Sequence, residues 1–336
     1  MAVKKKSLSL APNQVIALGF LAIILSGALL LMLPFANRSG RGLSFLDSLF
    51  TATSATCVTG LVVADTWTQF NLLGQVILLA LIQVGGLGYM TMMLQASLFL
   101  GRKIGLKQRS LMMESVSAER LSDVLALLRY ILRGTLAIEG VGAVLLAFRF
   151  IPELGPARGI WYSVFHSVSA FCNAGFDLMG FREPYSSLTR YVFDPLVNLT
   201  VIALILLGGL GFLVWRDVWE KGLRFRLYSL HSKLILTASA VLVLGGTALF
   251  WWAEWDNLLA GMSAGQQALV SLFQAVSPRT AGFNTVDLAA LTSGGGLLTI
   301  ALMFVGAGPG STGGGVKITT VVVCRLTLST YSRGRR

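Results

Sequence analysis

Hydrophobic positions fall in long unbroken runs, not in alternating or one-faced stripes. Residues 12–34, 72–100, 124–148, 196–215, 232–252 and 297–325 each approach or exceed the ~20 apolar residues a helix needs to cross a bilayer. Between the first and second run of each pair lies a shorter stretch with a fixed pattern. Ser48-Leu-Phe-Thr-Ala-Thr-Ser54 leads to Gly60 and Leu61. Ser163-Val-Phe-His-Ser-Val-Ser169 leads to Gly175 and Phe176, and Ser271-Leu-Phe-Gln-Ala-Val-Ser277 leads to Gly282 and Phe283. Copies this far apart predict a duplicated unit of several helices rather than a solenoid repeat. Each patterned stretch is too short to cross, so it dips into the bilayer and returns. The predicted fold is an all-α polytopic membrane protein of tandem units, each a span, a pore helix, a filter strand and a span.

Three such units are expected. Unit one takes residues 1–100, unit two 124–219 and unit three 232–336, with cytoplasmic connections at 101–123 and 220–231. The first connection carries both charge signs and reads as an amphipathic helix or a solvated linker. Proline at Pro34 ends the first span. In unit three the returning span is interrupted by Gly306, Gly308, Pro309, Gly310, Ser311, Thr312, Gly313, Gly314 and Gly315. So many glycines with a proline cannot stay helical. Non-helical backbone at that depth survives only if protein buries it or it lines a water-filled cavity. A flexible loop that blocks flow until moved fits this run. Lys317, just past it, either binds the loop's carbonyls, repels ions or snorkels to the inner face. No strand precedes the run and no Ser or Thr follows the lysine, so it is not a phosphate loop.

Composition agrees with a membrane protein: 54% of the 336 residues are hydrophobic and 12% charged. The first run is too long for a cleaved signal and lacks a small-residue cleavage pattern. The net charge of +12 does not point to nucleic acid, because of where it sits. Lys4, Lys5 and Lys6 precede the first run; Arg102, Lys103, Lys107 and Arg109 follow the second. Arg216, Lys221, Arg224, Arg226 and Lys233 separate the fourth and fifth, and Arg333, Arg335 and Arg336 close the chain. Basic residues on one side place the amino terminus and these loops in the cytoplasm. The three patterned stretches then face outward.

The chemistry follows from desolvation. A cation crossing the bilayer needs replacement oxygens, and rings of backbone carbonyls supply them for potassium. Aiming successive carbonyls inward calls for backbone angles that glycine adopts freely. The expected carbonyl donors are Cys57, Val58, Thr59 and Gly60; Cys172, Asn173, Ala174 and Gly175; and Arg279, Thr280, Ala281 and Gly282. These segments read as extended backbone, with the carboxyl end of each short helix pointing a partly negative dipole at the ion. Arg279 must aim its side chain elsewhere. Asp65, Asp177 and Asp287 follow the glycines and could concentrate cations at an outer vestibule, or cap the next turn. Close packing of helices at small residues is the alternative for the filter glycines, and the preferred reading for Gly85-Gly-Leu-Gly88 and Leu207-Gly-Gly-Leu-Gly211. Glu139, deep in a span, must face the interior and find a partner, with a structural hydrogen bond favoured over a transport role.

Three cysteines give no disulfide framework; Cys57 and Cys172 read as small buried side chains. His166 and His231 form no metal cluster, and no catalytic constellation appears, so an enzyme is not expected. An alternating-access carrier for a small solute is the competing transport class, but such carriers often contain inverted repeats, whereas these share one orientation. A membrane scaffold would leave the glycines unexplained.

Ser54-Ala-Thr-Cys-Val-Thr-Gly-Leu-Val-Val, Gln83-Val-Gly-Gly-Leu-Gly and Gly308-Pro-Gly-Ser-Thr-Gly-Gly-Gly-Val-Lys317 closely resemble the potassium-uptake superfamily of the bacterial Trk and Ktr systems and their plant and fungal relatives. The likeness is strongest to the Ktr ion-translocating subunit, since the first span begins near residue 12 with no extra helix pair before it. The resemblance implies a four-unit pore with one filter glycine per unit. It implies potassium preference from Gly60, because relatives with serine there pass sodium more readily. The 306–315 run corresponds to an intramembrane gate. A homodimer on a cytoplasmic ring of nucleotide-binding regulatory subunits is also implied, with potassium as substrate and sodium as a coupling or activating ion. Three units stand where four are expected, so a truncated chain is the expectation.

Overall fold

The computed structural model describes residues 12–88 and 124–332. Among them are twelve α-helices and no named strand, only isolated bridges between Asn37 and Phe70 and between Val305 and Val316. The first group is α1 (Pro12–Met32), α2 (Phe45–Cys57), α3 (Thr66–Gln69) and α4 (Leu72–Leu87). The second is α5 (Val124–Leu154), α6 (Pro156–Phe171), α7 (Pro195–Leu210) and α8 (Phe212–Lys221). The third is α9 (Leu230–Glu254), α10 (Ala264–Thr280), α11 (Ser293–Phe304) and α12 (Ile318–Ser332). The 101–123 connection, the end of the 72–100 run and the basic residues at both chain ends lie outside the described residues.

Local sequence explains the boundaries. Ser44 starts α2 by accepting the Asp47 N–H at 3.1 Å, and Asp47 complements the dipole of the first turn. Ser263 and Gln266 form a capping box at α10. Asp194 caps α7, with Pro195 at the first helical position where its missing N–H costs nothing. The 196–215 run is not one straight helix. Gly211, at φ 97°, ends α7, and α8 leaves at 97° to it. The third returning run is broken as expected, between Phe304 and Ile318.

In each group the long helix, the short helix and the returning helix pack on one another: α1, α2 and α4; α5, α6 and α7; α9, α10 and α11. Neighbouring groups meet through α4 on α6 and α7 on α10. The exterior is apolar, and polar side chains are found among the buried residues. Leu21, Leu29, Leu136, Val144, Phe148, Val241, Leu244, Leu297 and Ile300 are exposed, while Ser48, Ser163, His166, Ser169, Asn173, Ser271 and Ser277 are buried. An apolar exterior is what a hydrocarbon solvent selects. By length and hydropathy Arg129–Leu154 and Leu230–Glu254 can each cross a bilayer, and the bent α7–α8 pair makes a further candidate.

Candidate functional site

Each short helix ends two or three residues past the serine that closes the repeated pattern, and that serine's carbonyl takes an N–H from the segment beyond. The Ser54 carbonyl accepts the Thr59 N–H at 2.9 Å, the Ser169 carbonyl that of Ala174 at 2.8 Å, and the Ser277 carbonyl that of Gly282 at 3.1 Å. The serine side chains then tie down the strand that follows. Ser169 Oγ donates to the Phe176 carbonyl at 2.7 Å, and Ser277 Oγ to the Phe283 carbonyl at 2.5 Å. In the first group Thr59 Oγ1 donates to Ser54 Oγ at 2.8 Å instead. The sequence marked these serines; their task of holding the strand is visible only in three dimensions.

The expected extended segments begin later than their sequence positions. Cys57 is the last residue of α2, Cys172 keeps right-handed helical angles at the cap of α6, and Arg279 and Thr280 belong to α10. The chain leaves the helix at Val58 and Asn173, both left-handed at φ 57° and 60°. The third copy has one residue fewer between serine and glycine, and its helix runs through Thr280, with Ala281 as the cap. Arg279 is buried and lines a small cavity with Leu206, Gly209, Ser239 and Ala307.

Residues more than a hundred positions apart meet here. A Cβ on Gly60 would stand 2.9 Å from the Ala281 carbonyl oxygen and 3.1 Å from that of Ala174. One on Gly175 would stand 2.1 Å from the Ala281 oxygen and 3.3 Å from the Gly60 Cα. Gly60, Gly175 and Gly282 all have positive φ, at 77°, 70° and 92°. An L-residue forced there costs roughly 1–2 kcal/mol, and at Gly60 and Gly175 the oxygens leave no room for it. Gly282 has no atom within 4 Å of where its Cβ would lie.

Beside this cluster lies a cavity of about 410 Å³. Thr56, Cys57 and Val58 line it from the carboxyl end of α2, Gly85 to Gly88 from the end of α4, and Gly310 to Gly314 from the broken element. The glycine-rich run is an ordered loop. Gly306 N–H donates to the Val316 carbonyl at 3.0 Å and Ala307 N–H to that of Gly314 at 3.2 Å. The loop docks on the second group: Gly308 N–H reaches the Gly209 carbonyl at 2.9 Å, Thr312 N–H that of Gly208 at 3.1 Å, and Phe212 N–H returns to Gly310 at 2.8 Å. Ser311 Oγ donates to the Gly308 carbonyl at 2.5 Å. Lys317 Nζ donates to the Gly313 carbonyl at 2.7 Å.

The paired glycines are close-contact positions. A Cβ on Gly85 would lie 2.0 Å from the Thr56 carbonyl oxygen, and one on Gly208 1.9 Å from that of Phe171. The returning helices therefore pack against the ends of the short helices. Glu139 is buried and does find partners: Gln83 Nε2 donates to it at 3.2 Å, and the Cys172 thiol lies 3.9 Å away. All three aspartates cap turns. Asp65 takes the Thr68 N–H at 2.7 Å and the Tyr185 N–H at 3.0 Å, Asp177 takes that of Met179 at 2.9 Å, and Asp287 that of Ala289 at 2.9 Å. Asp65 is buried and Asp287 exposed.

With this geometry in hand, residues 5–335 match the family described as TrkH, cation transport protein. The chain belongs to this family. It is therefore a membrane transport protein and not an enzyme. Potassium uptake protein B of the Ktr system of Bacillus subtilis is 42% identical over 327 residues, which cover 97% of this chain and 72% of that protein. The potassium/sodium uptake protein NtpJ of Enterococcus hirae is 41% identical over 338 residues, covering 100% of this chain and 74% of the other. The crystal structure of the potassium transporter TrkH from Vibrio parahaemolyticus superposes with a TM-score of 0.72 at 18% identity, over 98% of this chain and 65% of that one. The TrkH fold is thus shared despite the low identity.

Two buried acids went unnoticed in the sequence. Asp217, in α8, accepts from Ser229 Oγ at 2.6 Å and Ser232 Oγ at 2.6 Å at the start of α9, and pairs with Lys221. Glu254, at the end of α9, accepts from Thr292 Oγ1 at 2.7 Å and Asn257 Nδ2 at 2.7 Å. Asp217 joins consecutive helices across a turn, whereas Glu254 ties the end of α9 to the start of α11, with α10 between them in sequence. A run of charges in sequence gives no signal of that pairing.

Proposed function

We propose that this protein passes potassium across the plasma membrane through a ring of backbone carbonyls at Gly60, Gly175 and Gly282 and the residues just before them. The observation that carries this is the meeting of Gly60, Gly175 and the Ala174 and Ala281 carbonyls at the ends of three short helices. Carbonyl oxygens facing one another across a narrow space repel unless a cation sits between them, and the helix ends add partial negative charge. The names of the similar Ktr and NtpJ proteins support potassium as substrate and leave a place for sodium. The 306–315 loop, beside the 410 Å³ cavity, is the gate. Asp177 and Asp287, near the outer ends of the filter strands, draw cations toward the entrance.

The amino terminus lies in the cytoplasm, following the basic residues of the inner loops. The protein acts as a homodimer on a cytoplasmic ring of nucleotide-binding regulatory subunits, as its resemblance to the Ktr translocating subunit implies. The test is rubidium and sodium uptake into vesicles by Gly60→Ser, Gly175→Ser and Gly282→Ser. A side chain at these positions should displace the carbonyls and lower the preference for potassium over sodium, by about tenfold for each ~1.4 kcal/mol of differential binding lost. Unchanged preference in all three variants would remove the filter assignment.

A further inference from the structure

The Asn173 side chain has no part in a carbonyl filter, yet it is fully buried in the most constrained place of the molecule. Its backbone is left-handed at φ 60°, a conformation asparagine tolerates better than most residues. Its carboxamide touches three separate elements. Nδ2 donates to the Phe171 carbonyl at 3.1 Å, at the end of α6, and to Thr312 Oγ1 at 2.9 Å, in the glycine-rich loop. Oδ1 accepts from Thr280 Oγ1 at 2.6 Å, at the end of α10. Thr312 Oγ1 in turn donates a hydrogen bond to the Phe171 carbonyl at 2.8 Å. Gly208 admits the group: a Cβ there would lie 2.7 Å from Thr312 Oγ1 and 2.8 Å from Asn173 Nδ2. The equivalent residues in the other two copies, Val58 and Thr280, carry no carboxamide.

We propose that Asn173 is a positioning residue that latches the glycine-rich loop to the second filter strand, through Thr312, and so sets how readily the loop leaves the pathway. The inference rests on the reading of that loop as a gate. One amide spans the strand of one repeat and the pore helix and loop of the next, so displacing the loop breaks its bond to Thr312. The Asn173–Thr280 and Asn173–Phe171 bonds remain, so the strand keeps its place while the loop moves. A latch of this kind separates two properties: loosening it raises flux and leaves ion preference unaltered.

The cleanest variant is Thr312→Val. It keeps the shape and removes the hydroxyl, and Asn173 Nδ2 still satisfies the Phe171 carbonyl. It removes both hydrogen bonds of the Thr312 hydroxyl, the one accepted from Asn173 and the one donated to Phe171, so rubidium flux into proteoliposomes holding the full chain should rise at least about fivefold, with the rubidium-to-sodium ratio unchanged. Thr312→Ser keeps the hydroxyl and should restore wild-type flux. Asn173→Gly removes the carboxamide without backbone strain and should raise flux similarly. Combined with Thr312→Val it should raise flux by less than the product of the two single effects, because the Asn173–Thr312 bond is common to both. Additive effects, or wild-type flux in both single variants with an unchanged gel-filtration profile, would overturn the latch. A deletion within Gly310–Gly314 separates the two readings. If the deletion raises flux while Thr312→Val does not, the gate stands and the latch falls. If the deletion leaves flux unchanged in an inserted protein, both fall.

Discussion

Single residues do three different kinds of work around the carbonyl cluster. Gly60 and Gly175 are glycines because φ is positive and oxygens of other repeats occupy the space a side chain would need. Gly208 is a glycine because the end of α6 presses on it. Gly208→Ala must therefore push α7 off α6, and overpacking of this kind costs about 1–3 kcal/mol. A lowered thermal midpoint in detergent, together with weaker binding of the loop, is the expected outcome. A midpoint equal to wild type would mean that the contact relaxes freely. The closing serines were legible as part of a pattern, and their hydrogen bonds to Phe176 and Phe283 were not, because the partner carbonyl lies beyond the glycine turn. Asn173 was legible only as a place in the strand; nothing in the sequence ties it to Thr312, more than a hundred residues later.

Elements were read more easily than their ends. The runs 12–34, 124–148 and 232–252 coincide with long helices, and the three short helices carry the serine–phenylalanine pattern, because both signals are local. The missed boundaries have a physical cause. In the third copy a shortened connection lets the helix continue through Thr280, which pattern alignment alone cannot reveal. The run at 196–215 reads as one span, yet Gly211 turns it by 97°, and the loop's Gly310 carbonyl takes the Phe212 N–H freed there. A helix break compensated by a distant loop leaves no local trace. The junction of α8 and α9 depends on Asp217. Burial pushes its carboxyl up, but hydrogen bonds from Lys221, Ser229 and Ser232 outweigh this and hold it well below the usual carboxylate range. A depressed carboxyl stabilises the fold above its unfolded value of about 4 and loses that contribution as pH falls below it. Asp217→Asn should cost roughly 2 kcal/mol near neutral pH. It should also flatten the fall of thermal midpoint with acidification that the parent is expected to show. An equal acid response in both proteins would show that the junction does not depend on this charge.

At the scale of the described residues, three helix groups pack in sequence, α4 on α6 and α7 on α10, and backbones at the ends of their short helices meet near Gly60 and Gly175. The groups supply equivalent carbonyls, while the broken helix of the third closes on the second. In the proposed function, repetition builds the pathway and one departure from repetition supplies its gate. The most direct test is anomalous diffraction from crystals of the full-length protein grown in rubidium. The expected result is a peak between the backbones of Gly60, Gly175 and Gly282, within coordination distance of the Ala174 and Ala281 carbonyl oxygens. Rubidium bound elsewhere along the pathway, with no peak at that point, would contradict the assignment of these carbonyls as the ion's ligands.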